Sequence, residues 1–255
     1  MARKRRRRRK KAVSAVLSGE EMAALSADAG DASMAGVQPP EIPARFFFRF
    51  AVPCFHVEKL DLAKTQALSE AYRLPEFGTL EGAPEFVDLR AGWSETGLGF
   101  CLRLTGKRSL PWCRSTRLEE SDGLQLLLDM RPSPGVKRAT RYCQRFIALP
   151  EGKGKSQKAP ILETAPVARA KAEPPEIDSS LLEITSKSIS GGYQLAIFLP
   201  AAILSGFAPE ETPQVGFQYY LQDRELGEWT FTAGDPFPFA EDPSLWGQLD
   251  FETLA

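Results

Sequence analysis

Two aspartates in the stretch SDGLQLLLDMR are the first candidates for chemistry, because paired carboxylates carry out the acid and base steps of glycoside hydrolysis. Asp122 and Asp129 are seven residues apart. In a strand, which rises about 3.3 Å per residue, they would lie roughly 23 Å apart and on opposite faces. The carboxyl groups of glycosidases lie only about 5–10 Å apart. We therefore interpret the stretch as a buried strand with polar ends, and Asp122 as a residue that can cap or shape a loop.

Histidine and cysteine are too sparse for most other active sites. The chain has one histidine, His56, and its four cysteines are widely spaced, with no C-x-x-C pair. This spacing predicts no zinc site, and a single histidine leaves little room for a Ser-His-Asp or Cys-His nucleophile. A haem would find only His56 and Met130 as axial ligands. We expect that the protein is not an enzyme, although composition leaves a carboxylate-dependent glycosidase open.

The charge of the chain is unevenly distributed. Residues 3–11 (RKRRRRRKK) hold nine of the 32 Lys and Arg residues, which leaves the remainder with 23 basic against 33 acidic side chains. Such a block is typical of a solvated arm that binds polyanions without sequence preference. Residues 1–43, rich in Ala, Ser and Gly, are expected to be disordered. The arm supports an alternative function, a protein-interaction domain that contacts nucleic acid or another polyanion through residues 3–11.

Neither a membrane span nor an export signal is evident. No apolar run reaches the 18 residues typical of a span. AVSAVL, which follows the basic block, is shorter than the apolar region of about 7–15 residues in a secretory signal. We expect no membrane span and no signal peptide, and hence a cytoplasmic location by default.

Alternation of apolar and polar residues dominates the chain after residue 73 and predicts strands. In GLGFCLRLTG, for example, Leu98, Phe100 and Leu102 share one face, and GYQLAIFLP and QVGFQYYLQD alternate in the same way. Pro and Gly punctuate these runs and no long helix separates them, which disfavours a parallel α/β sheet. We predict an all-β fold: an antiparallel β-sandwich with jelly-roll or immunoglobulin-like layers and one or two short helices.

A single domain is expected over residues 44–255. FFFRFAV (46–52) is predicted to open it as a first strand, and residues 60–73 are predicted to form a short helix. Residues 151–178 contain no aromatic residue, several lysines and four prolines. We expect them to form a flexible insertion on the surface.

Four stretches occur in the order found in one family of binding modules. They are PWCRSTRLEESDGLQLLLD, GGYQLAIFLP (191–200), VGFQYYLQD (215–223) and DPSLWGQL (242–249). Together they resemble the family 9 carbohydrate-binding modules and their DOMON-like sandwich relatives. The resemblance implies a β-sandwich that binds a saccharide or related polyol without catalysis, between aromatic rings and with polar side chains on the hydroxyls.

The resemblance also implies site residues. Trp112 matches the first aromatic platform, Gln125 stands where the family has a hydroxyl-binding carboxylate, and Arg145 falls near a basic ligand residue. The family's second Trp, just before DPS, is replaced by Ala240, with Phe239 and Phe237 nearby as candidate substitutes. A pyranose has apolar C–H faces and a polar rim, so flat rings and polar side chains suit it.

Structural calcium is a further implication of the resemblance, since some members of the family bind it through loop oxygens. The acidic turn that contains Glu119, Glu120 and Asp122 could supply such oxygens, although the chain has no EF-hand loop. We expect no other cofactor and no metal in the binding site.

Overall fold

Strands account for nearly all the regular structure. The computed structural model describes residue 42 and residues 44–254, so almost all of the arm predicted at residues 1–43 lies outside the described residues. One short α-helix, α1 (Leu62–Gln66), is joined by several single-turn 3-10 helices. The strands are β1 (Ala51–His56), β2 (Val87–Ser94), β3 (Gly97–Leu104), β4 (Gly123–Asp129), β5 (Cys143–Lys153), β6 (Ala159–Ala165), β7 (Glu183–Ile189), β8 (Gly192–Pro200), β9 (Gln214–Asp223), β10 (Gly227–Thr230) and β11 (Gly247–Glu252).

All the strands of the described region are linked in one hydrogen-bonded sheet. Its order is β6-β5-β4-β9-β11-β1-β2-β3-β8-β7, with β10 paired to β9. The two end strands, β6 and β7, are themselves in contact, so the sheet folds over into two layers. This arrangement confirms the predicted all-β sandwich.

The core lies between the two layers and is built from the predicted alternation. Leu124, Leu126 and Leu128 of β4 point into it and are fully buried. Phe217 of β9 stacks against Phe100 of β3 across the interface, with ring centroids 5.7 Å apart and planes 4° from parallel. Each such side chain contributes about 1.5–3 kcal/mol by leaving water. The core therefore fixes which residues of β4 and β9 face outward.

Strand β1 departs from the antiparallel pattern. It pairs in parallel with β11 on one side and with β2 on the other. Side-chain alternation reports which face a residue occupies but carries no information on strand direction. The sequence could therefore predict the strand but not its parallel pairing.

The N-terminal edge of the domain was predicted incorrectly in two places. The aromatic run begins in a 3-10 turn, Ala44–Phe47, and β1 starts only at Ala51. Phe47 and Phe48 are exposed, at 70% and 60%, so the run does not follow the in–out alternation of a half-buried strand. The helix predicted over residues 60–73 shortens to α1, whose first turn is capped by the Asp61 carboxylate through the backbone N–H of Lys64 at 2.8 Å.

Part of the segment predicted as a flexible insertion, residues 151–178, is a strand. Strand β5 continues to Lys153, and β6 returns antiparallel beside it across an irregularity after Leu149. Ile161 and Leu162 of β6 are buried. The sequence did not indicate this strand, because the lysines and prolines around these two apolar residues are typical of a surface loop. The rest of the segment has no regular secondary structure.

No helix in the described part of the chain is long and apolar enough to cross a membrane.

The carboxylate of Glu76 provides a test of the fold by pH, since it is buried without a hydrogen-bond partner among the described residues. Burial raises its pKa to about 7, although Arg73 and Arg45 nearby act in the opposite direction. The folded state therefore holds this proton more tightly than the unfolded chain, and stability is lost as the pH rises from about 4.5 to about 7. We expect Glu76→Gln to be more stable than the parent by about 1–2 kcal/mol at pH 8, solvent screening included, and equal to it at pH 4.5.

Urea unfolding at the two pH values measures this difference. Glu58→Gln is the matched control, because the Glu58 side chain is 83% exposed. A Glu76→Gln variant whose stability relative to the parent is the same at both pH values would contradict the assignment.

Candidate functional site

Gln125 and Arg145 lie side by side on the outer face of the layer that contains β4 and β5. Gln125 is buried, and it alternates with the core leucines of β4, so it points away from the core. Arg145 of β5 donates to the Gln125 Oε1 atom from Nη2 at 2.6 Å and from Nε at 3.1 Å. The Arg145 side chain is only 10% exposed. The structure thus brings these two predicted residues together as one rigid polar pair.

The remaining bonds of this pair leave some capacity for a ligand. Arg145 Nη1 contacts Glu119 Oε1 at 3.2 Å and the carbonyl of Pro166 at 3.4 Å. Glu119 itself is 61% exposed, so this ion pair is at the surface, and a ligand can replace Glu119 at little energetic cost. The amide nitrogen of Gln125 donates no hydrogen bond within the described residues. A hydroxyl-bearing molecule could therefore bind to both side chains.

Aromatic rings lie next to the pair on the same face. Tyr220 of β9 is directly opposite Gln125 in the strand register, which puts the two side chains on one face. The ring of Phe239 lies 5.4 Å from that of Tyr220, inclined at 47°. Phe239 is only 7% exposed, whereas Tyr220 is partly exposed. Tyr220 was not identified from the sequence, although the alternation in QVGFQYYLQD already placed it on the outward face with Gln218 and Gln222.

Asp122 has a structural task that the sequence only partly indicated. It is buried just before β4, and one of its oxygens, Oδ2, accepts from the backbone N–H of Trp112 at 2.9 Å and lies 3.4 Å from Lys107 Nζ. Its other oxygen, Oδ1, accepts from the backbone N–H of Arg224 at 3.0 Å. Lys107 is buried as well and contacts Asp223 at 2.5 Å. This ion cluster of Lys107, Asp122 and Asp223 holds two surface loops together.

Asp129, at the other end of β4, accepts instead from the backbone of Arg131, so the two aspartates act separately as the spacing predicted.

Trp112 is held at the edge of the layer rather than in the core. Besides the bond from its N–H, its carbonyl accepts from the backbone N–H of Asp122 at 2.9 Å. Its ring is half-buried and belongs to none of the core clusters. The guanidinium carbon of Arg224 lies 3.2 Å from the ring centre and that of Arg114 lies 5.3 Å from it. Asp122 precedes Gln125 by three residues, so the Asp122 end of the Trp112 loop lies roughly 10 Å along the strand from Gln125, and the two side chains point to opposite faces.

A cavity of about 500 Å³ borders the residues just before Trp112. Lys107–Pro111 forms one wall and the β7–β8 hairpin forms another. Tyr193 of β8 lines it, and the hydroxyl of Tyr193 is buried without a partner among the described residues. Glu225 accepts from the backbone N–H groups of Arg108 and Ser109 in the first wall, at 2.8 and 2.9 Å. The hydroxyl of Ser109 also donates to Glu225, and this bond, together with the two backbone bonds, lowers the pKa of Glu225 to about 2.

The residues considered for calcium are engaged with basic side chains. Glu119 pairs with Arg145 and Glu120 with Arg117 at 3.4 Å, while Asp122 belongs to the ion cluster. Within the described residues, no group of three His, Cys, Asp or Glu side chains is placed to hold a metal ion. The cysteines are all buried and unpaired: Cys54, Cys101, Cys113 and Cys143.

Comparisons with known proteins identify the fold. No family model and no curated protein matches the chain. A family 9 carbohydrate-binding module from Caldicellulosiruptor kristjanssonii in complex with glucose superposes with a TM-score of 0.54 at 12% identity, over 82% of this chain and 97% of that one. A module of that family from the same organism in complex with cellotriose gives 0.52 at 10% identity, over 81% and 95%. The chain therefore has a fold like that of the family 9 modules, as the four sequence stretches indicated.

Proposed function

We propose that the protein is a non-catalytic carbohydrate-binding module that takes a saccharide or related polyol on the outer face of β4, β5 and β9. The observation that carries the proposal is the polar pair of Gln125 and Arg145 beside the rings of Tyr220 and Phe239. This combination supplies fixed donors for hydroxyl groups next to an apolar surface, as saccharide recognition requires. It occurs on a fold whose solved relatives include modules with bound glucose and cellotriose.

Rigidity supports this assignment. The Arg145 guanidinium is nearly buried and is oriented by Gln125 before any ligand arrives, so little side-chain freedom is lost on binding. The proposed contacts are Gln125, Arg145 and Phe239, with Trp112 at the edge of the site.

The placement of the acids supports a role without catalysis. Asp122 is neutralised by Lys107, and Asp129 is at the opposite end of β4. A glycosidase would need two carboxyl groups facing one bond about 5–10 Å apart, and these two aspartates do not provide them.

A glycan array probed with the full chain tests the proposal. We expect binding to a limited set of saccharides, and loss of that binding in Trp112→Ala and in Arg145→Ala. Arg141→Gln is the matched control: Arg141 is an exposed arginine whose guanidinium lies 4.9 Å from the ring centre of Tyr142, away from the Gln125–Arg145 pair. No binding to any glycan, or binding unchanged in both site variants, would refute the assignment.

A second candidate function rests on the sequence of residues 3–11, in which every side chain is basic. We propose that this block binds polyanions such as nucleic acid. We expect binding to double-stranded DNA that weakens steeply between 50 and 200 mM salt and disappears on deletion of residues 3–11, because phosphate contacts release counterions. Filter binding of both chains at several salt concentrations measures it. Affinity that does not depend on salt, or that survives the deletion, would argue against this role.

A further inference from the structure

The strongest feature outside the polar pair is the placement of two arginines against Trp112. Both guanidinium carbons lie within 5.3 Å of the same ring centre, that of Arg224 at only 3.2 Å. Arg114 and Arg224 are exposed to solvent. Two like charges close to one ring repel each other, so their juxtaposition is unfavourable unless something compensates it.

The fold itself imposes this arrangement. The Asp122 carboxylate binds the backbone N–H of Trp112 with one oxygen and that of Arg224 with the other, at 2.9 and 3.0 Å. Asp223 adds bonds to the backbone N–H groups of Glu225 and Leu226, both at 3.0 Å, which shape the turn that carries Arg224. Both aspartates are buried. These bonds fix the backbones of Trp112 and Arg224 beside each other, so the Arg224 side chain starts next to the indole ring.

Neighbouring acids do not neutralise the two arginines. Neither guanidinium forms an ion pair with any described residue; Arg114 donates to the carbonyl of Cys113 at 3.2 Å. The acids closest in sequence pair with other cations: Glu119 with Arg145, Glu120 with Arg117, and Glu225 with Lys107 at 4.0 Å. Outside residues 3–11 the chain has an excess of acidic side chains. Two unneutralised guanidinium groups in such a chain therefore create a local positive site.

The stacking also determines what this site can take. The guanidinium of Arg224 covers one face of the Trp112 ring, so a pyranose cannot stack on that face. The N–H groups of a guanidinium lie in the plane of that group and are directed outward, in the fork that matches a carboxylate or a sulfate. Contact with the ring further limits hydration of the cation.

We infer that Arg114 and Arg224, held against Trp112, form an anion subsite, and that the ligand is an acidic saccharide carrying carboxylate or sulfate groups. The inference rests on the proposed function, since the polar pair of Gln125 and Arg145 binds the hydroxyls of the same ligand. The subsite adds the selectivity for charge.

The test compares matched glycans on the full chain. Oligogalacturonates and their methyl esters differ only in charge, and sulfated and unsulfated oligosaccharides form a second matched set. We expect the parent to bind the charged member of at least one set at least about tenfold more tightly, as expected for charge-assisted hydrogen bonds. In the double variant Arg114→Gln and Arg224→Gln, that preference should fall to near unity while affinity for the neutral member is retained.

Arg141→Gln is the control and should keep the preference. The basic residues 3–11 are present in every chain compared, so any binding that they contribute is common to all. A preference that persists in the double variant overturns the inference. Equal binding of charged and neutral glycans by the parent overturns the inference but leaves the proposed function standing. Binding to no glycan overturns both.

Discussion

Replacement of Lys107 by methionine is expected to lower the free energy of unfolding by about 3–5 kcal/mol, because it leaves two buried carboxylates without their counter-ion. The side chains of Lys107, Asp122 and Asp223 are each at most 2% exposed, and Lys107 Nζ lies 3.4 and 2.5 Å from the two carboxylates. Methionine retains the length of the side chain and removes the charge. Urea unfolding followed by circular dichroism measures the loss.

Two further variants make this prediction specific to charge. Lys187→Met, at an exposed position of β7, controls for the substitution itself and should change stability by less than about 0.5 kcal/mol. Combining Lys107→Met with Asp122→Asn and Asp223→Asn should recover part of the stability, since neutral amides leave no buried charge. If Lys107→Met were as stable as Lys187→Met, the ion cluster would not be holding the two loops.

Replacement of Arg145 by alanine is expected to weaken binding of the saccharide identified on the array by about 10- to 100-fold. This corresponds to the roughly 1.5–3 kcal/mol contributed by hydrogen bonds from a charged donor. The fold should tolerate the change because Arg145 lies on the outer face, although Gln125 Oε1 loses both of its donors. Isothermal titration with the same saccharide measures the affinity.

The partnership with Gln125 gives this prediction a second test. Gln125→Ala should also weaken binding, and the double variant should lose less than the sum of the two single losses, since each residue orients the other. Arg141→Gln should leave the affinity unchanged. Undiminished affinity in Arg145→Ala, in a variant that unfolds like the parent, would remove Arg145 from the site.

Local sequence patterns predicted the parts of the fold that depend on side-chain alternation. They identified the strands around Leu126 and Phe217 and the faces on which these residues lie, because burial of one face imposes a period of two. The seven-residue spacing of Asp122 and Asp129 was likewise enough to exclude a catalytic pair, and the two residues lie at opposite ends of β4. Gln125 and Arg145 were singled out from the resemblance, and the structure places them in contact.

Contacts between distant segments could not be predicted in this way. Arg224 lies over Trp112, and Asp122 binds the backbone of both, yet no local pattern links the three residues. Lys107 resembles any surface lysine in sequence, yet its side chain is buried, since its partners come from the start of β4 and the end of β9. The parallel direction of β1 could not be predicted for the same reason, because strand pairing depends on contacts between segments that are distant in sequence.

The parallel pairing of β1 has a consequence for how the chain reaches its fold. The register joins Ala51 to Gln248, so one of the first strands is completed on one side only by the last. Pairings between residues so far apart in sequence raise the contact order. The entropy cost of closing the loop between them comes before the stabilising contacts form. During synthesis, the apolar face of β1 must wait until almost all of the domain has left the ribosome. We therefore expect this sandwich to fold slowly, with β1 and β11 joining late.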